Sequence, residues 1–476
     1  MNTIRAKPLE VIVDGDSLKD RLDVPFYHPK FIEIENILGS TSLNIKSIGE
    51  IAKKITKGET PLWRGDRYVD EGIPFLRVIN LREEGLETTN LVYISKETYK
   101  RMKRSQLKDK DVLYSMAGTI GIATVYESRS YWKEANINQA IARIELKEGY
   151  NPYYVAIFLN TEFGRLQAER FVCAIAQPNI NFQQIKSIKI IFPPVKIQEK
   201  IVELMKTAWE EKKKRLEKSR SLLTTFDMWI KNKLKVLLSE IKKAASYLID
   251  LEDNLGSRLD AKYNSPKFLQ LSNAIENSPY EIKTLKQISK AIVSGQRPKG
   301  GVKYIEDGVP SIGGEHITSE GDFNFENIRF IPKQFHQQQK KSWVKPYDIL
   351  IVKDGATTGK VAIVPKEFPF KECNINEHVF KIEVKDGYNP YYVFSYLFSS
   401  LGQEQINRLI SGAAQKGITR DAIESVKIIV PPLEIQNTIA DEIRKRKEES
   451  KRLKKEAEEV VENAKKEVEK MITGET

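Results

Sequence analysis

The stretch that comes nearest to catalytic machinery is Gly355-Ala356-Thr357-Thr358-Gly359-Lys360-Val361. A nucleotide-binding P-loop needs a glycine, four residues, Gly-Lys, and then a Ser or Thr whose hydroxyl reaches magnesium. Here only three residues separate the glycines, and Val361 has no hydroxyl to offer a metal. What remains is a glycine-rich turn whose amides and Lys360 are suited to a nucleic-acid phosphate, or a plain hairpin turn. Asn151-Pro152-Tyr153-Tyr154 and Asn389-Pro390-Tyr391-Tyr392 come close to the Asn-Pro-Pro-Tyr element of amino-methyltransferases, but the second proline is missing. No glycine-rich turn after a first strand offers S-adenosylmethionine a site. Helix capping by Asn, with Pro in the first turn, accounts for the Asn-Pro pair, and core packing accounts for the tyrosines. Cys173 and Cys373 with His28, His316, His336 and His378 show no zinc spacing, and two cysteines make no disulfide framework. Neither a Ser/His/Asp set nor a carboxylate pair repeats along the chain, so no hydrolytic centre is expected.

With catalysis unsupported, binding is the alternative. The 476 residues carry a net charge of +12, which favours a polyanionic partner, nucleic acid first. Met1 to Asp20 lacks the pattern of a secretion signal, and no window is apolar enough to span a membrane. A cytoplasmic protein is expected.

An internal repeat organises the chain. Arg21-Leu22-Asp23 returns as Arg258-Leu259-Asp260, 237 positions on. Pro29-Lys30-Phe31 returns as Pro266-Lys267-Phe268, and Asp111-Val112-Leu113 as Asp348-Ile349-Leu350. Asn136-Ile137-Asn138 pairs with Asn374-Ile375-Asn376, and Phe192-Pro193-Pro194 with Gln198 pairs with Val430-Pro431-Pro432 with Gln436. The register drifts by about one residue, as in duplication of a whole domain.

Each copy reads as a mixed domain. An opening helix is expected at 31–39 and 268–277. Short strands follow, such as Ile73–Leu76, Asp111–Tyr114, Ile122–Val125 and Ile141–Ile144. A helix after each Asn-Pro and a last strand, Ile188–Phe192 in the first copy, precede the Pro-Pro pair. After Pro-Pro the pattern changes. Residues 197–241 place apolar groups at steps of three and four from Ile197 to Ile241, with no Pro or Gly, and residues 434–471 do the same from Ile435 to Met471. A helix that long cannot bury its stripe alone, so the two should pair, most simply antiparallel. The expected fold is α+β: similar mixed domains at 1–195 and 246–432, with long helices at 196–245 and 433–476.

This organisation resembles the specificity subunit of Type I restriction-modification systems. The resemblance rests on Asp-hydrophobic-Leu followed by a glycine turn: Asp111-Val112-Leu113 with Gly118-Thr119-Ile120-Gly121, and Asp348-Ile349-Leu350 with Gly355 to Lys360. It rests also on the Asn-Ile-Asn elements, on Ala176-Gln177-Pro178-Asn179-Ile180 and Ala414-Gln415-Lys416-Gly417-Ile418, and on Pro-Pro-x-x-x-Gln at Pro193 to Gln198 and Pro431 to Gln436. The resemblance implies that each domain reads one half of a bipartite DNA target. It implies that the helices set the spacer and dock two methyltransferase subunits, which would carry S-adenosylmethionine, and that restriction subunits join the complex. The chain itself would hold no cofactor, metal or catalytic residue. The equivalent subunit of a Type IIB-like system is the alternative, and an intrinsically active methyltransferase or nuclease a remoter one.

In a duplicated reader, equivalent positions should hold the fold and differing ones should read bases. Three loops per copy fit this. In the first copy the candidates are Lys57, Thr60, Trp63 and Arg64, then Arg77, Asn80 and Arg82, then Gln177, Asn179 and Asn181, with Thr119 in the glycine turn. In the second they are Ser294, Gln296, Arg297 and Lys299, then His316, then Gln415, Lys416 and Arg420, with Thr357 and Lys360 in the turn. These residue types supply the donors and acceptors that phosphates and base edges accept.

Overall fold

A computed structural model describes residues 23–61, 65–128, 132–172, 178–237, 263–298, 303–411 and 417–474. The chain divides into two compact units. Residues 1–215 with 455–476 form the first, and residues 216–454 the second.

In the first unit a helix, Pro29–Ser40, leads into a four-stranded antiparallel sheet. Its strands are β1 (Ala52–Lys57), β2 (Val112–Ser115), β3 (Ala123–Val125) and β4 (Ile141–Leu146), in the order β1-β4-β2-β3. A second sheet sets Ile73–Leu76 between Val92–Ile94, antiparallel, and Asn136–Ile137, parallel. Every residue of β2 and of Ile73–Leu76 is buried, which is why both read as short unbroken apolar runs. Helix α1 (Pro152–Asn160) packs on β3. Asn151 caps it, its Oδ1 accepting from the Tyr153 and Tyr154 amides at 3.0 and 3.3 Å. The Tyr154 hydroxyl donates to the Ile191 carbonyl at 2.5 Å. The Asn-Pro-Tyr-Tyr element is therefore a helix start.

Long helix α2 (Val195–Lys233) begins at Pro-Pro, where Gln198 Nε2 donates to the Pro193 carbonyl at 2.8 Å. That bond gives the Pro-Pro-x-x-x-Gln motif a physical reason: glutamine satisfies a carbonyl that lies past the end of the strand Lys189–Phe192 and before the first turn of the helix. The helix stops short of the expected residue 241. Lys235 sits at φ +55°, Val236 turns back to donate to the Lys231 carbonyl, and Leu234 and Val236 are buried.

The second unit repeats the plan. Strands β5 (Ser289–Ser294), β6 (Ile349–Val352), β7 (Val361–Ile363) and β8 (Val379–Val384) form a sheet in the order β5-β8-β6-β7. Helix α3 (Pro390–Phe398) is capped by Asn389 as α1 is by Asn151. Gln436 repeats the bond of Gln198, to the Pro431 carbonyl at 2.9 Å, at the start of α4 (Leu433–Thr473).

Each unit's core draws on both long helices. In the first, Ile201, Val202, Met205 and Ala208 of α2 join Ala464, Val468 and Ile472 of α4. In the second, Ile439 and Ile443 of α4 join Phe226, Ile230 and Leu234 of α2. The helices run antiparallel. Within the second unit, Ser219 meets Ser450 at 2.7 Å, while Arg446 donates to the Leu222 carbonyl and Thr225 Oγ1, both at 2.9 Å. Among the described residues no helix is long and apolar enough to cross a membrane.

Candidate nucleic-acid interface

The aspartate of the Asp-hydrophobic-Leu motif is a fold element. Asp111 Oδ2 accepts from the Lys108 amide at 2.6 Å and pairs with Arg143 of β4; both side chains are buried. Burial raises the Asp111 pKa, and the Arg143 hydrogen bond opposes that rise. In the second copy Asp348 accepts from the Lys345 amide at 2.8 Å and pairs with Lys381 at 3.3 Å. The two asparagines of Asn-Ile-Asn are likewise structural, Asn136 buried and Asn138 half-buried. Asn136 donates to the Met102 carbonyl at 3.2 Å, and Asn138 turns the chain by accepting from the Ala140 amide at 3.3 Å.

These fixed points bring several loops to one end of each sheet. In the first unit Gly58 N–H donates to the Ile141 carbonyl, Met116 to Ala140, Asn138 to Leu76, and Ile180 to Met116. The residues around 57–61, 76–80, 116–121, 138–140 and 178–181 therefore form one cluster. The approach is close. A Cβ on Gly58 would press into the carbonyl oxygens of Ile137 and Asn138. Gly295 meets Ile375 and Asn376 in the same way. In the second unit Lys353 N–H donates to the His378 carbonyl, Asn376 to Ile312, and Ile418 to Lys353.

Within the first cluster Lys57, Thr119 and Asn179 are exposed, and Thr60 is half-buried with its hydroxyl on Gln139 Oε1. Asn179 bridges to Ala117. Exposed Arg82 folds back on the Ile79 and Leu81 carbonyls at 3.0 and 2.9 Å. Arg77 is half-buried and holds the Asn90 carbonyl at 3.0 Å. Asn181 caps the helix Phe182–Ser187 in a reciprocal pair with Gln184.

In the second cluster Ser294, Gln296 and Arg297 are exposed, and Arg297 Nε lies 3.3 Å from Glu377 Oε1. Thr357 is half-buried on the Gly314 carbonyl at 3.3 Å, and Lys360 is half-buried. Arg420 is exposed and pairs with Glu424 at 2.7 Å.

Two candidates lie inside the fold instead. Asn80 is fully buried: its Oδ1 accepts from the Arg77 amide at 2.9 Å and its Nδ2 donates to the Glu87 carbonyl at 3.1 Å. His316 stands in the same turn of the second copy, Nδ1 accepting from the Gly313 amide at 2.8 Å, and burial lowers its pKa. Both are turn supports. Trp63, Arg64, Gln177, Lys299, Gln415 and Lys416 lie outside the described residues.

Sequence reasoning missed the partners of Thr60 and Arg297. Gln139 corresponds to Glu377, and the next residue is Ala140 in one copy and His378 in the other. His378 Nδ1 pairs with Asp354, whose counterpart is Ala117. All lie beside matched motifs or turns and differ between copies, the signal that singled out the other loops. Among the described residues no group of His, Cys, Asp and Glu is placed to hold a metal ion.

Two units of one plan, matched in scaffold and unlike at their loop ends, define a two-part reader of an extended polymer. The chain belongs to the Type I restriction modification DNA specificity domain family, whose model matches it twice, at residues 42–219 and 277–463. It is similar to the type I restriction enzyme MjaX specificity subunit of Methanocaldococcus jannaschii, with 26% identity over 89% of this chain and 91% of that one. A shorter match, 26% identical over 28% of each chain, is to the EcoBI specificity subunit of Escherichia coli. A solved structure from work on assembly and conformational transition of the type I R-M system shares the fold. Its TM-score is 0.50 at 14% identity, covering 91% of this chain and 98% of that one. The protein is thus a DNA-specificity subunit of a restriction-modification complex, a non-catalytic role in which DNA and methyltransferase subunits are its partners.

Proposed function

We propose that each recognition domain, 1–195 and 246–432, reads one half of an asymmetric bipartite target through its loop cluster. The readers in this proposal are Lys57, Thr60, Thr119, Gln139 and Asn179 in the first copy. In the second they are Ser294, Gln296, Arg297, Lys360, Glu377, His378 and Arg420. The observation that carries it is the replacement, at one place in the fold, of a neutral Thr60–Gln139 pair by the charged Arg297–Glu377 pair. A hydroxyl and an amide suit different base edges from a guanidinium and a carboxylate, so the half-sites differ in sequence. The helices hold the spacer constant and dock two methyltransferase subunits that carry S-adenosylmethionine, with restriction subunits joining the same cytoplasmic complex.

The test is the methylated motif in DNA from cells holding the chain with its methyltransferase. It should be two unlike half-sites at one spacing. Arg297→Ala should relax one position of one half by ~1–3 kcal/mol and leave the other half unchanged. A continuous motif, or relaxation in both halves, would sink the proposal.

A further inference from the structure

In both copies one glycine fixes two loops against each other. Gly58 lies against the Ile137 and Asn138 carbonyls and donates to the Ile141 carbonyl at 3.3 Å. Gly295 lies against the Ile375 and Asn376 carbonyls and donates to the Val379 carbonyl at 3.4 Å. The backbone plan that carries position 60 beside 139 is therefore the plan that carries 297 beside 377. On that common frame the two side-chain pairs are built the opposite way round.

In the second copy the outward member is Arg297, its side chain 60% exposed against 26% for Glu377. Glu377 turns inward. Its Oε1 faces Arg297 Nε at 3.3 Å and His378 Nε2 at 3.5 Å, while its Oε2 is buried. A carboxylate so placed is out of reach of a base edge, but it can fix the angle of the guanidinium. Among the described residues nothing hydrogen-bonds the Nη1 and Nη2 donors of Arg297. With Nε turned to the carboxylate, that free end is the two-pronged donor that fits O6 and N7 of guanine in the major groove.

In the first copy the order is reversed. Thr60 is short, and its hydroxyl donates to Gln139 Oε1. That bond holds the Gln139 amide by its oxygen and so fixes which end is donor and which is acceptor. Among the described residues nothing hydrogen-bonds Gln139 Nε2, and Oε1 keeps a second lone pair. An amide that offers a donor and an acceptor side by side matches N7 and the N6 amino group of adenine. We propose that each pair is one reading unit, with reader and support exchanged between the copies. Gln139, set by Thr60, reads adenine in the first half-site, and Arg297, set by Glu377, reads guanine in the second. This rests on the two-domain reading given above and supplies it with named bases.

The test exchanges the pairs in the full chain and reads the methylated motif made with its methyltransferase. Arg297→Thr with Glu377→Gln should turn one G·C pair of the second half-site into A·T. Thr60→Arg with Gln139→Glu should turn one A·T pair of the first into G·C. The rest of the motif and its spacing should stay as they were. Glu377→Gln alone tests the support: in competition binding it should lower discrimination at the same G·C pair about tenfold, with every other position and the salt dependence of affinity unchanged. Thermal melting establishes that each variant folds. Folded exchange variants that keep the parent's bases overturn the proposal, as does folded Glu377→Gln with undiminished discrimination. So does an Arg297→Ala variant that weakens binding equally on all sequences and lowers the salt slope by about one, the mark of a phosphate contact. A continuous parent motif overturns instead the two-domain reading on which the proposal rests.

Discussion

The two copies solve one structural problem with different basic residues. At the sheet centre the first buries Arg143 on Asp111; the second buries Lys381 on Asp348. Arginine's planar fork can hold two carboxylates at once, whereas lysine presents a single ammonium. In the first copy Arg143 meets Glu145 at 3.2 Å as well as Asp111, whereas the second copy's lysine pairs with Asp348. The same contrast recurs at the loop ends, where a neutral Thr60–Gln139 pair stands in one copy and a charged Arg297–Glu377 pair in the other. Duplication preserved backbone bonds and released side-chain chemistry.

Removing the aspartates should break this comparison most visibly. Asp111→Asn takes from buried Arg143 its buried carboxylate partner, leaving it Glu145 at 3.2 Å, and should cost about 3 kcal/mol in denaturant unfolding. Asp348→Asn should cost more, up to about 5 kcal/mol, because Lys381 has no second carboxylate of the kind that Glu145 offers Arg143. Equal losses would refute the asymmetry. The glycine approach should be equally strict in both copies. Gly58→Ala and Gly295→Ala each force a carbon into backbone oxygens, with an expected cost of about 1–3 kcal/mol and weakened DNA binding. A neutral result in either would show that the loop can retreat.

The helix caps should sharpen the comparison on a smaller scale. Asn151→Ala should cost ~1 kcal/mol by thermal melting. Asn389→Ala should cost somewhat more, since Asn389 Nδ2 also donates to Asn437 at 2.8 Å.

Lys465 gives the first unit a pH effect that the matching position of the second does not share. Lys465 is pushed down to about 8, chiefly by burial and then by the Arg165 charge, while its counterpart in the second copy is Asp227. The folded form therefore binds fewer protons than the unfolded form between pH 8 and the ordinary lysine range. Stability from this site should rise with pH across that window. Lys465→Gln should remove that increment, and an unchanged pH profile would contradict the assignment.

Much of this was legible in the sequence because periodicity and repetition are local signals. The long helices, the Asn-Pro caps and the two-copy plan follow from spacing alone. The fates of Asn80 and His316 did not. A polar loop side chain reads the same whether it faces solvent or ties its own turn, and only the paths of Glu87 and Gly313 decide between the two. Gln139, Asp354, Glu377 and His378 were hidden for another reason. Their significance depends on residues about 20 to 80 positions away, which strand pairing brings to one end of the sheet. The early stop of α2 was hidden because its apolar pattern continues past the turn at Lys235.

The division of each core between the two helices also sets an order of events during synthesis. The second unit receives Phe226, Ile230 and Leu234 from a segment made before its own strands. The first receives Ala464, Val468 and Ile472 from a segment made after all of the second unit. At about 5–20 residues per second that delay is on the order of tens of seconds. The domain that leaves the ribosome first is the one that is finished last, and until then its apolar floor is open to chaperones.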